Sequence, residues 1–308
     1  MLKLSRYQSA GEFRPPVIIL GAARSGTKLL RELIAATGCY AEVPFDVNYI
    51  WRYGNESCPH DALPADLARE RTRQFIRNWL RSCTVHPKND IGVRSTAFVE
   101  KTVSNVLRIP FVKAVYPEAR FVALVRDGRD VVESAERCWR APPPTGYVLK
   151  KLRTFPWLHC APYGWKYAAT VVRRRLHLDK HLRTWGPRYP GIDIDLKRLS
   201  LLEVCARQWA ASIELYEQSR HLFSNHQLLE MRYEDLVCSP HLQMHRLCDF
   251  LQIEARGRVL EIARRNIRSD CIGSFMRLPR KDLQRVLDTI RPMLQRWDYV
   301  NNSHARVA

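Results

Sequence analysis

The chain has 308 residues, 46% of them hydrophobic, enough for a large core in one domain and too apolar for a disordered chain. Fifty Lys/Arg against 31 Asp/Glu give a net charge of +19, which points to anionic ligands or surfaces. No apolar run approaches the roughly 20 residues of a membrane-spanning helix, and the leading MLKLSRYQSAGEFRPP lacks a secretory apolar core. The nine cysteines are scattered and none forms C-x-x-C, so neither a zinc ligand set nor a redox pair is visible. A reducing cytoplasm is the expected setting.

Residues 17–20 (VIIL) form a short continuous apolar run, the pattern of a strand buried on both faces. They lead into Gly21-Ala-Ala-Arg-Ser-Gly26-Thr27-Lys28, and the apolar spacing beyond predicts a helix over 27–37. A strand, a tight turn and a helix start aim backbone N–H groups and the positive end of the helix dipole at an anion. Gly21 and Gly26 allow the turn and a close approach of ligand to backbone. Arg24, Ser25, Thr27 and Lys28 add charge and hydroxyl donors, so a phosphate-type group is expected here. The glycines have Walker A spacing, but Thr27-Lys28 reverses the final pair, which breaks the magnesium geometry of an ATPase loop.

Tyr40-Ala-Glu42-Val-Pro-Phe-Asp46 follows with two carboxylates, and WRYGNESCPHD supplies His60 and Asp61. Helices are predicted over 66–83 and 102–115, with a strand at 91–94 between them. Residues 120–134, RFVALVRDGRDVVES, read as a buried strand at 121–125, a turn at 126–130 and a helix over 131–138. Asp130 is expected to cap that helix. Arg126 at the strand end and Ser134 on the helix are placed to converge on a second phosphate. Helices over 200–221 and 240–251 and a strand over 227–232 follow, then a helix pair or bent helix around Pro292 between Asp282 and Tyr299. This alternation predicts an α/β fold, a mainly parallel sheet flanked by helices in three layers, with ligands at the carboxyl ends of the strands. Both phosphate motifs lie just past such ends.

Residues 137–190 hold twelve Lys/Arg and one acidic residue, Asp179, a net +11, with four of the eight tryptophans: Trp139, Trp157, Trp165 and Trp185. The segment reads as a basic, aromatic-rich insertion or lid within one domain spanning 1–308. Three partners suit such a surface: a carbohydrate or lipid acceptor, an anionic membrane surface, and nucleic acid. The phosphate motifs already account for one anionic ligand, which argues against nucleic acid.

Together the two motifs resemble the PAPS-dependent sulfotransferases, of the bacterial and tyrosylprotein types. ARSGTKLL resembles the 5′-phosphosulfate loop, which assigns Arg24, Ser25, Gly26, Thr27, Lys28 and Leu29 to the cofactor. RDGRDVVES resembles the 3′-phosphate motif, through Arg126 and Ser134. EKTVSNVLRIPFVKAVYPEAR (100–120) is similar to the segment between those motifs, and MRYEDL (231–236) to a later strand end. The resemblance implies a P-loop-like core and sulfuryl transfer from PAPS, with PAP as product. Arg24, Lys28 and Lys101 are then candidates for stabilising the leaving phosphate. Lys101 matches an active-site lysine of "EKTP"-like motifs, although Val103 replaces the proline. Tyr233 matches a tyrosine near the nucleotide. Ser274 lies in IGSF, similar to a late loop over the adenosine, with Phe275 where tryptophan is usual. The acceptor hydroxyl needs a general base, and Glu42 and Asp46 remain rivals for it, with His60 a third candidate. The family's Golgi members carry an N-terminal anchor, so the expectation is a soluble prokaryotic form, cytoplasmic or peripheral at the membrane, acting on a carbohydrate, glycolipid or cell-envelope precursor. No metal is required. A P-loop kinase or NTPase would need a Walker B aspartate, and Asp127 sits in a turn. A non-catalytic basic binder is opposed by the intact Arg24, Lys28, Arg126 and Ser134.

Overall fold

The computed structural model describes residues 14–85, 97–141, 185–253, 261 and 271–300. Five strands, β1 Val17–Leu20, β2 Ala41–Glu42, β3 Phe98–Glu100, β4 Arg120–Val125 and β5 Leu228–Arg232, form one parallel sheet in the order β2-β3-β1-β4-β5. The described helices are α1 Thr27–Ala36, α2 Asn48–Trp51, α3 Glu70–Ser82, α4 Ile109–Val115, α5 Gly128–Arg140, α6 Ile192–Arg198, α7 Leu201–Ser219, α8 Tyr233–Cys238, α9 Pro240–Leu251 and α10 Arg280–Arg296.

Alternation along each strand sorts the core into two layers. Ile18, Leu20, Phe98, Phe121, Ala123 and Val125 face one side, where α3, α4, α5, α7 and α10 pack. Val17, Ile19, Val99, Val122, Leu124 and Met231 face the other, under α1, α8 and α9. Both faces are covered, which is why these strands read as apolar runs and not as alternating patterns.

Several elements depart from the sequence expectations. The helix expected over 102–115 is broken: Val103–Leu107 is a 3-10 turn, Arg108 leaves helical geometry, and α4 starts at Ile109. Pro110 explains the restart, since proline is accepted only in a helix's first turn. The helix after β4 begins at Gly128, because Asp127 and not Asp130 is its cap; the Asp127 carboxylate accepts the Arg129 N–H at 2.9 Å. The strand expected at 91–94 lies outside the described residues, and β3 forms at Phe98–Glu100. The C-terminal segment is a single helix, α10, that contains Pro292.

Most of the basic segment, 142–184, also lies outside the described residues. Its two described ends belong to the core. Trp139 is wholly buried, and its ring lies 6.2 Å from that of Trp185. Gln208 donates to the carbonyls of Trp185 and Pro187 at 3.1 and 2.7 Å. These two tryptophans are anchors, not parts of an exposed aromatic surface.

Candidate active site

The chain leaves β1 through α1, on one face and toward β2, but leaves β4 through α5, on the other face and toward β5. Adjacent strands whose connections diverge open a crevice between their carboxyl ends. The loops after β1 and β4 meet there. Arg126, one residue past β4, donates from Nη1 to the Arg24 carbonyl at 3.0 Å and from Nη2 to the Cys271 carbonyl at 2.5 Å. Arg24 Nε donates to Ser134 Oγ at 2.9 Å. The Arg126 guanidinium also lies 4.3 Å over the ring of Tyr233, which starts α8.

Gly26 precedes α1 with φ of 87°, and a Cβ there would stand 2.5 Å from the Tyr233 ring, so conformation and space both demand glycine. Arg24 has φ of 71°, an unusual backbone for a side-chain-bearing residue and one found at ligand loops. The first N–H groups of α1 have no intrahelical acceptor. Ser25 Oγ and Arg126 Nε are buried and bond to no described residue. Unsatisfied buried polar atoms of this kind are costly unless a ligand engages them.

Thus Arg24, Ser25, Gly26, Arg126, Ser134 and Tyr233 come together. Thr27 is buried beneath the loop, with its methyl against Gly21. Leu29 is half-buried against the apolar layer. Lys28 is not drawn in: its side chain is 74% exposed, with Nζ 3.7 Å from Glu32.

Ser274 joins through a residue whose role the sequence misplaced. Asp130 accepts N–H bonds from Gly273 and Phe275, both at 3.0 Å, and the Ser274 hydroxyl at 3.1 Å, and lies 3.8 Å from Arg126. Burial raises its carboxyl, opposed by the Phe275 N–H and Arg126. Asp130 and Ser134 are four residues apart on one helical face, which was a readable signal. Glu234 ties the same corner together, accepting the Asp127 N–H at 3.0 Å and the Tyr299 hydroxyl at 2.8 Å.

A second group sits past β2 and β3. Lys101 Nζ lies 2.6 Å from Asp46 Oδ2, and Asp46 Oδ1 accepts the Val103 N–H at 2.9 Å. Lys101 therefore pairs with Asp46 and not with its neighbour Glu100. Glu42 is held instead by Arg31 of α1, at 3.2 Å. His60 is half-buried in a loop, where its carbonyl accepts Arg52 at 2.8 Å. Behind this group stand two buried carboxylates that the sequence reading did not single out as functional. Glu100 accepts Thr102 at 2.5 Å and Asn105 at 3.0 Å, and burial pushes its carboxyl up to about 7. Asp61 accepts Arg52 and Ser104 at 2.8 Å, the Arg188 N–H at 2.9 Å and Asn48 at 3.1 Å. Burial acts to raise Asp61, but Arg108, the Arg188 N–H and Arg52 outweigh it and hold the carboxyl below its usual range.

Fold and crevice define an α/β protein whose parallel sheet gathers donors suited to an anion at its switch point. The model described as "Sulfotransferase family" matches residues 51–147 and 169–256. The chain belongs to the sulfotransferase family, enzymes of sulfuryl transfer. It is 20% identical to protein-tyrosine sulfotransferase A of Caenorhabditis elegans over 315 aligned positions, covering 94% of this chain and 68% of that protein. Among solved structures it is similar to the sulfotransferase domain of the curacin biosynthetic pathway (16% identity, 91% of this chain, 99% of that one, TM-score 0.47). It is also similar to mouse sulfotransferase SULT7A1 complexed with PAP (13% identity, 93% and 90% covered, TM-score 0.46).

Proposed function

We propose that this sulfotransferase takes its sulfuryl group from PAPS and passes it to an acceptor hydroxyl, with the crevice between β1 and β4 as the nucleotide site. The observation that carries this is the convergence of Arg24, Arg126 and Ser134 beside two buried polar atoms that bond to no described residue, Ser25 Oγ and Arg126 Nε. That donor set fits a ligand with two separate anionic ends. PAPS would supply an activated sulfuryl group. The backbone of Ser25 to Leu29 and the Arg24 and Ser25 side chains would hold its 5′ end, while Arg126 and Ser134 would hold the 3′-phosphate. Tyr233 would pack by the nucleotide, and Ser274 would bring the late loop to it.

Lys101, 7% exposed at the end of β3, is the cation assigned to the charge that develops on the leaving phosphate. Asp46 is the preferred base. It already shares a hydrogen bond with Lys101, whereas Glu42 is engaged by Arg31. The acceptor hydroxyl is assigned to a carbohydrate, glycolipid or cell-envelope precursor, and the chain to the cytoplasm, peripherally at an anionic membrane surface. The support for the acceptor and the surface is the composition of residues 137–190, treated as an insertion or lid in one domain, and for the cytoplasm the scattered cysteines.

Calorimetric titration with PAP, beside ADP with magnesium, tests the donor. Tight PAP binding that weakens on the order of 50-fold in Arg126→Ala is the expected result. Binding of ADP–magnesium without PAP would replace this reading with a kinase.

A further inference from the structure

Glu100 ends β3 with its side chain wholly buried, and nothing proposed above uses it. Its oxygens take Thr102 Oγ1 at 2.5 Å and Asn105 Nδ2 at 3.0 Å. Thr102 Oγ1 accepts the N–H of Val47 at 3.0 Å, directly after Asp46. Asp46 accepts the Val103 N–H, directly after Thr102, and the Lys101 ammonium. The bonds close a circuit through two strand ends: Glu100, Thr102, Val47, Asp46 and back to Val103.

The circuit is anchored deeper in the core. Asn105 Oδ1 accepts Arg108 Nε at 2.9 Å, Arg108 Nη2 donates to Asn48 Oδ1 at 2.6 Å, and Asn48 reaches Asp61. Asn105 cannot turn its amide to suit a changed Glu100, because Arg108 already holds its oxygen. Thr102 has one hydroxyl hydrogen. While Glu100 is ionised, that hydrogen goes to Glu100 and a lone pair faces Val47. A proton on Glu100 sits on one of its two oxygens and places a donor against either that hydroxyl or the Asn105 amide, so one of the two bonds must rearrange. A core needs no charge at this place, since an apolar residue of similar volume fills it at less desolvation cost.

We infer that Glu100 and Thr102 are positioning residues: through the Thr102 hydroxyl they seat the loop that carries Asp46, and thereby the Asp46–Lys101 pair, in a way that depends on the proton of Glu100. This rests on the assignment of Asp46 and Lys101 to the acceptor side of the reaction. Burial lifts the Glu100 carboxyl to about 7, with the Thr102 bond opposing. The titratable groups facing it are Asp46, Lys101, Cys83 beyond α3 and Tyr116 beyond α4. A raised carboxyl is ionised above its folded value and protonated below it, so the circuit is closed above pH 7 and loosened beneath it.

Amide hydrogen exchange of the full chain without ligand, followed by NMR at Val47 and Val103 from about pH 5.5 to 8.5 and corrected for intrinsic rates, reads the circuit directly. Protection at both amides should fall together as pH drops through the Glu100 transition. Thr102→Val should cost both amides about tenfold in protection at high pH, Thr102→Ser should restore it, and Glu100→Gln should remove the pH step. Unchanged Val103 protection in folded Thr102→Val, or a pH step that survives in Glu100→Gln, overturns the inference. Hydrolysis of PAPS to PAP, with water as acceptor, then reads the consequence: in Thr102→Val kcat falls about tenfold while PAP affinity stays within about twofold. An equal loss of PAP affinity overturns the positioning role. Failure of the unaltered chain to bind PAP would instead sink the proposed donor, and the exchange data would still decide the circuit.

Discussion

The two sides of the strand-end crevice are held in opposite ways. The side proposed for the nucleotide, past β1, β4 and β5, is built from backbone turns and long-range arginine contacts, and Ser25 Oγ and Arg126 Nε there bond to no described residue. The side proposed for the acceptor, past β2 and β3, is a side-chain network in which Asp61, Asn48, Arg108, Asn105 and Glu100 bond to one another, with His60 Nδ1 at its edge bonding to no described residue. Open donors suit a ligand that carries its own charge. A dense side-chain network suits groups whose orientation must be fixed before an acceptor arrives. On this view substitutions on the acceptor side cost stability first, and those on the nucleotide side cost affinity first.

The strongest break should come from Asp61→Ala, which leaves buried Arg52 and Arg108 without their carboxylate. Unfolding by denaturant should show a loss of about 3–5 kcal/mol. A loss below about 1 kcal/mol would remove the contrast between the two sides. Because Asp61 is held below its usual range, its contribution is present at neutral pH and disappears as pH falls through that lowered value. Asp61→Asn should therefore flatten the acid limb of the stability curve.

Arg126→Ala should behave the other way. PAP affinity measured by calorimetry should fall on the order of 50-fold, with a smaller change in stability than in Asp61→Ala. Asp130→Asn is expected to weaken PAP by about tenfold, because one of the two oxygens that hold the Gly273–Phe275 turn becomes an amide donor facing an N–H. An unchanged PAP affinity there would detach the late loop from the nucleotide. The smallest effect is assigned to Lys28→Ala, under about threefold in PAP affinity, since that ammonium is largely solvated and paired with Glu32. A large loss would show that Lys28 swings inward on binding.

Legibility followed the same division. Gly21 to Lys28 and Arg126 to Ser134 were readable because a phosphate turn is local: strand, turn residues and helix start lie within about a dozen positions. The cap at Asp127 was misplaced by three residues, since two aspartates compete in RDGRD and only packing shows that Asp130 turns toward residues 273–275. Asp46 and Lys101 lie 55 residues apart, as do Val47 and Thr102, so no spacing rule links them. Asp61 meets Arg188 across 127 residues.

By itself the sequence determined the parallel α/β core, from its apolar runs and the βα alternation, and the phosphate-type turn, from residues that act on their immediate neighbours. Only the tertiary structure decided which carboxylate meets Lys101, that Glu100 is buried between the Thr102 hydroxyl and the Asn105 amide, and which loop Asp130 holds. Those outcomes depend on the order β2-β3-β1-β4-β5, which sets β2 beside β3 and β1 beside β4. Strand order is fixed by burial on both faces of the sheet, a property of the assembled chain and of no single segment of it.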